Sequence, residues 1–536
     1  MKSRLSYLVI SATLAASAAC TTPWDQHSDN SDLTSVEGRE FAIEYDGFVY
    51  VPVGSSDDDV RWQIQRQIKS ALGALREVEI GVLDRDARNN LDASTWTRTQ
   101  LDVIGDDGQV STTVERVTYH YSDVAVVDRD RVPNGQLPLT LLFGDYAARY
   151  DVLVPACTDD SDPYADSLWY HFHPGRWACR NLIADERYAI ADATSMLDDA
   201  NTQIASVDLE RVFLETRATL TPVAEPPTLY PEYDQLWGFS GNTSRSQLVA
   251  YAFFGVDKDV EDSADLGLRE YMRFQRTLRQ RFPQLRVSHT APFAMLLDFS
   301  INGQRIAGLT FDDVERWILD NTGYPTEVGS DNALRAELKR QVIERFARRW
   351  IYWELPVVVT RGGETRNMTV QIRSYYGPED GNDDIRKHAK WRYMEAFWHG
   401  DIFAYTGHSH FGHGPLAPFY YGGHNFPDRY QVMLVNSCLS FNYYDQDFLD
   451  MHPQQSAKLD VVTNGLAAYW YGMGEATANY VASLVDGQNK TWKQVLEAMR
   501  VNLPWRWGYD PMRVVNGEHD NAFTPDAAPI EVTPAN

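Results

Sequence analysis

A mostly parallel α/β sheet is predicted for the C-terminal part of this chain, preceded by an α+β N-terminal region and a mixed middle region. Three observations carry that prediction. Short apolar runs recur at Ile402–Tyr405, Val432–Val435 and, interrupted by Asp460, Leu459–Val462. Each is too short for a helix and is separated from the next by loop or helical text, the pattern of strands buried on both faces. Near the start, by contrast, Phe41–Val51 alternates apolar and polar residues, as a half-buried antiparallel strand does. Apolar residues make up 43% of the chain and aromatics 12%, which is enough to build cores and unlike a disordered composition.

Residues 1–19 have the plan of a signal peptide. Lys2 and Arg4 precede an apolar run, Leu5–Ala19, that ends in small residues and is too short to stay as a membrane span. Residues 20–37 are polar and read as a tether. An N-terminal domain is expected over 38–227. It has a helix over Val60–Leu75 capped by Asp57–Asp59, strands at Glu115–Tyr121 and Leu139–Phe143, and a boundary at Pro226-Pro227.

The middle region, 228–380, holds a buried strand at Leu248–Gly255 and a helix at Leu266–Phe282. A hairpin turns at Asn302-Gly303, helices follow at Asp312–Leu319 and Ala333–Trp350, and a second hairpin turns at Gly362-Gly363. It can also belong to the domain that follows. Over 381–508 a helix, Ile385–Trp398, ends at Gly400 as a left-handed cap. The three apolar strands come next, then helices at Glu475–Val485 and Trp492–Arg500. Residues 509–536 read as a flexible tail.

The formal net charge of −26 excludes general nucleic-acid binding, because phosphates would be repelled. Beyond residue 19 no stretch is apolar enough to cross a bilayer. There are four cysteines. Cys157 and Cys179 are expected to form a disulfide in an oxidising compartment, with a small metal site including His171 and His173 as the alternative. Cys438 then has no partner, and a catalytic thiol is one reason for an odd cysteine in an exported protein. Ser17-Ala18-Ala19-Cys20 resembles the lipobox of bacterial lipoproteins. That resemblance implies lipidation of Cys20 and anchoring in the cell envelope. Thr21 in the following position implies the outer membrane.

Two of the apolar strands end in reactive residues. The first leads into Tyr405-Thr-Gly-His408-Ser-His410-Phe-Gly-His413-Gly, the second into Asn436-Ser-Cys438. Ligands bind beyond the carboxyl ends of parallel strands, so neighbouring strands would bring an imidazole and a thiol together there. A free thiol is only a few per cent ionised near neutrality, and an imidazole can take its proton.

Ile402–His408 and Val432–Cys438 resemble the two signature blocks of the clan CD cysteine peptidases, the superfamily of caspases, legumains, gingipains and separases. The resemblance covers about Asp401 to Trp470. It implies a caspase-like domain that hydrolyses peptide bonds without a cofactor, acting on a protein or peptide substrate. Cys438 would be the nucleophile and His408 the general base and acid. The backbone amides of Ser409 and Cys438 would form an oxyanion hole. His410, His413 and His424 are competing histidines, whereas His399 reads as a helix end. Asp445, Asp447 and Glu475 lie where such enzymes build a side-chain pocket, or are solvated loop charge. Asn464-Gly465 is a tight turn near the same sheet end.

Two readings of other classes remain open. His408-x-His410-x-x-His413 resembles the zinc-binding loop of the metallo-β-lactamases, with Gly412 where that family has Asp; that implies a zinc-dependent hydrolase. A non-catalytic envelope lipoprotein that binds a partner also fits the aromatic content.

Overall fold

The computed structural model describes residues 33–83, 90–129, 135–158, 167–241, 245–288, 296–378, 383–412, 416–417, 420–526 and 528–535, with side chains omitted for 383–389. The expected signal peptide, Cys20, most of the tether and His413 lie outside these residues.

After β1 (Leu33–Thr34), the chain enters a sheet of seven strands among the described residues. Its strands are β2 (Gly38–Pro52), β3 (Ile80–Val82), β4 (Thr97–Ile104), β5 (Val110–Asp128), β6 (Gln136–Leu142), β7 (Gln203–Ala205) and β8 (Phe213–Pro222). All its pairs are antiparallel except β4 with β7. The alternation at Phe41–Val51 works as expected: Phe41, Ile43, Tyr45, Val49 and Val51 face a core shared with helices. The helix Asp57–Lys69 is capped by Ser56, whose side chain and Asp59 form a reciprocal capping box. It ends at Ser70, and a separate helix, Ala71–Glu77, follows. Cys157 and Cys179 form the expected disulfide, S–S 2.01 Å.

The second sheet has ten strands among the described residues. It comprises β1 with β9 (Gln247–Phe254), β10 (Arg286–Val287), β13 (Trp350–Arg361), β14 (Glu364–Tyr376), β15 (Ile402–Gly407), β16 (Gln431–Ser437), β17 (Leu459–Asn464), β20 (Arg513–Asn516) and β21 (Glu531–Pro534). Two small hairpins stand apart: β11 (Ser300–Ile301) with β12 (Gln304–Arg305), and β18 (Val501–Leu503) with β19 (Arg506–Tyr509). Both predicted middle-region turns use left-handed residues, Asn302-Gly303 and Gly362-Gly363.

The sheet is parallel at its centre, in the order β14-β9-β15-β16-β17, with antiparallel strands on both flanks. In chain order these five strands run 2-1-3-4-5, so the topological switch lies between β9 and β15. Every residue of β15, β16 and β17 is buried, because helices and loops cover both faces.

Several expectations need correction. For residues 228–380 the second of the two expected readings applies, since β9 and β14 share one sheet with β15–β17. The tail is not loose: β20 pairs with β17 inside the sheet, and β21 pairs with β13. The end of the tether is likewise fixed, as β1 pairs with β20. The helix expected to reach Trp350 stops at Phe346, and Trp350 opens β13. Gly400 is not a left-handed cap. A side chain there would meet the Ala396 carbonyl at 2.6 Å and the Tyr251 ring at 3.0 Å, so close packing is what requires the glycine.

Candidate active site at the carboxyl edge of the parallel sheet

β15 and β16 are adjacent and parallel, with Thr406 opposite Asn436 and Gly407 opposite Ser437. The next residue on each strand is His408 and Cys438. Both therefore leave the sheet at one edge and one register, from strands about 4.8 Å apart.

The imidazole of His408 is partly exposed and has neighbours on several sides. Its Nε2 lies 3.3 Å from the Asp257 carbonyl oxygen and 3.6 Å from Asp257 Oδ1. The Trp470 and His410 rings stand edge-on at 5.4 and 5.7 Å between centroids. Asp257 comes from the loop after β9, across the topological switch. Buried Asp265 holds that loop by accepting the amides of Asp257, Lys258 and Asp259, and it also caps the helix Leu266–Arg281.

The loop that carries His408 is strained and held from outside. Tyr405 donates its hydroxyl to the His408 carbonyl at 2.7 Å, and Tyr444 donates to the Ser409 carbonyl at 2.8 Å. His410, Phe411 and Gly412 all have left-handed backbone, with φ of 48°, 54° and 76°. For a residue like Phe this costs about 1–2 kcal/mol. An aromatic clasp from the N-terminal domain offsets it: the Phe411 ring meets Tyr170 at 4.6 Å, Trp169 at 5.7 Å and His171 at 6.2 Å.

Cys438 is the free thiol among the described residues and is partly buried. Its Sγ donates to the Ala468 carbonyl at 3.4 Å. Burial pushes the thiol above its ordinary range, and the Arg76 guanidinium pulls it back. Leu439, the next residue, has φ of 51°. Asn464 braces this turn from β17, donating to the Asn436 side chain and to the Ser437 carbonyl, each at 3.1 Å. The loop after β17 then crosses both groups, with Ala468 at the thiol and Trp470 at the imidazole. Outside the helices and strands, neither the Ser409 nor the Cys438 amide donates to a backbone carbonyl of the described residues; the Cys438 amide bonds its own thiol.

Thiol and imidazole do not bond to each other: one faces Ala468, the other Asp257. Catalytic contacts often tighten only when substrate binds.

The other candidates separate. Asp445 is neither a solvated charge nor a free acidic pocket; it is buried and accepts from Thr463 Oγ1 at 2.9 Å and Asn516 Nδ2 at 2.8 Å. Asp447 and Glu475 are exposed. His399 ends its helix. His424 lies in the short helical turn Gly423–Asn425 and contacts Asn425. His171 and His173 do not share a metal site with the flanking cysteines, which are bonded to each other. Among the described residues no group of three His, Cys, Asp or Glu side chains could hold a metal ion, and the zinc-loop histidine His413 lies outside them.

Asp257 is the member the sequence reading missed. It follows the apolar strand Leu248–Gly255, so the strand-end rule that selected His408 and Cys438 would have selected it too. Comparison with family models, curated proteins and solved structures finds no match to this chain.

Proposed function

We propose that this chain is an exported cysteine peptidase with a caspase-like catalytic domain, tethered to the cell envelope through a lipid on Cys20. Cys438 is the nucleophile, His408 the general base and acid, and Asp257 the group that orients the imidazole. The observation that carries this reading is the meeting of three strand ends: His408 and Cys438 leave neighbouring parallel strands at one register, with Asp257 against the imidazole. The 2-1-3-4-5 strand order supports it, because ligands bind at such a switch point.

The chemistry follows from the groups present. His408 takes the thiol proton, and the sulfur attacks the scissile carbonyl. Negative charge develops on the carbonyl oxygen, where the amides of Ser409 and Cys438 would stabilise it. The amine leaves with the proton from His408, giving a thioester at Cys438. Water, deprotonated by the same imidazole, then releases the acid and restores the thiol. Asp257 stabilises the imidazolium formed in each half. The raised thiol pKa means that proton transfer to His408 must accompany attack, since little thiolate exists beforehand.

The test is hydrolysis of a fluorogenic peptide library by the mature protein. Cleavage should occur, and Cys438→Ala and His408→Ala should each abolish it while the fold is retained. Full activity in Cys438→Ala, or no peptide cut by the wild-type chain, overturns the reading.

A further inference from the structure

Beside the candidate site lies a cleft of about 670 Å³ between the two domains. Arg76, His171 and His173 line it from the N-terminal side, and Ala467, Tyr469 and Trp505 from the other. Ala467 precedes Ala468, whose carbonyl accepts the Cys438 thiol. Its aromatic wall is open: Tyr469 is 45% exposed and Trp505 59%, their rings edge-on at 5.6 Å. The other charges along it already have partners. Glu77 accepts from the Gly175 amide at 2.9 Å and faces His173 Nδ1 at 3.3 Å. Arg506 pairs with Glu37 at 2.9 Å, and Glu79 has a partner of its own. Arg76 differs. Its guanidinium rests on the Tyr170 ring, 4.5 Å from the centroid, and meets no carboxylate among the described residues.

We infer that this cleft is a substrate subsite for a carboxylate-bearing peptide, with Arg76 as the anion's partner and the Tyr469–Trp505 wall receiving an adjacent apolar side chain. The inference rests on the peptidase reading for its substrate class. A guanidinium that bonds Tyr170 but meets no carboxylate among the described residues, in an otherwise strongly acidic protein, is suited to a carboxylate, which it can hold by two parallel hydrogen bonds. Its place over Tyr170 keeps it near the thiol and limits the freedom lost on binding. The carboxylate can be an acidic side chain or a peptide's free C-terminus, since both present the same two oxygens.

Peptides carrying Asp, Asn or Lys at successive positions, each with a free or an amidated C-terminus, separate these sources. Two readouts apply: KM for cleavage by the wild-type chain, and fluorescence anisotropy for binding to Cys438→Ala. At one position Asp, or the free C-terminus, should bind about tenfold more tightly than its neutral counterpart, a difference of about 1.4 kcal/mol. Arg76→Gln should remove that preference, Arg76→Lys should keep most of it, and Arg76→Glu should transfer it to Lys. Thermal melts check that each variant is folded. An Asp:Asn:Lys ratio unchanged across the Arg76 variants overturns this inference while leaving the peptidase reading intact. Binding to Cys438→Ala that depends on Arg76, without cleavage by the wild type, supports the subsite and overturns the peptidase reading instead.

Discussion

At the scale of single residues, the proposed triad makes separable predictions. Asp257→Asn keeps the backbone carbonyl beside His408 but removes the carboxylate charge 3.6 Å from its ring. It should lower kcat by about 10²–10⁴ with little change in KM, as loss of an orienting carboxylate or of general-base efficiency does elsewhere. An unchanged kcat would reduce Asp257 to a loop residue. Burial raises the Cys438 thiol, so its alkylation by iodoacetamide should keep accelerating to higher pH in the folded protein than in the unfolded one. Mass spectrometry of labelled peptides over a pH series reads this directly. Coincident folded and unfolded profiles would contradict the burial effect. His408 and Cys438 were legible in the sequence because each follows a short apolar strand. Asp257 was equally legible by that rule, but the 150-residue gap to His408 hid that the strands are neighbours.

At the scale of elements, the His408 loop is the part most dependent on support from elsewhere. Its left-handed residues are stable only while Phe411 sits among Trp169, Tyr170 and His171. Phe411→Ala should let the loop relax, lowering kcat by an order of magnitude or more at a stability cost of about 3–5 kcal/mol or less. Kinetics with a parallel urea melt separate the two effects; full kcat in a folded variant would show that the clasp does not position His408. Element existence was largely readable from periodicity, including both middle-region hairpins and the strands that carry the site. Element ends were less so. Ser70 splits a helix whose apolar spacing runs on without a break. Trp350 belongs to a strand although a helical pattern leads into it, because pairing with β14 begins there. No local signal marks either change.

At the scale of the molecule, buried carboxylates set the pH response. Burial pushes Glu270, Glu315 and Asp460 up to about 7. Between about pH 4 and 7 each holds its proton in the folded chain and loses it in the unfolded one, so stability falls as pH rises through that window. Buried His452, lowered to about 4, works in the opposite direction below about 6.5. Burial raises Glu518, Glu232, Glu186 and Glu37 as well, so the raised carboxylates outweigh the one histidine and predict a higher Tm at pH 5.5 than at pH 8 by calorimetry, with a shallower slope in Glu270→Gln. A Tm that is flat or rises with pH would contradict this. By itself the sequence determined the strand and helix pattern, the disulfide and the two strand ends that offer a thiol and an imidazole, because periodicity and spacing are local properties. Only the tertiary structure decided that these strands are neighbours, that residues 513–516 complete their sheet, that Asp257 meets His408, and that the N-terminal domain clasps the loop. Those facts depend on contacts between segments far apart in the chain, which no local pattern encodes.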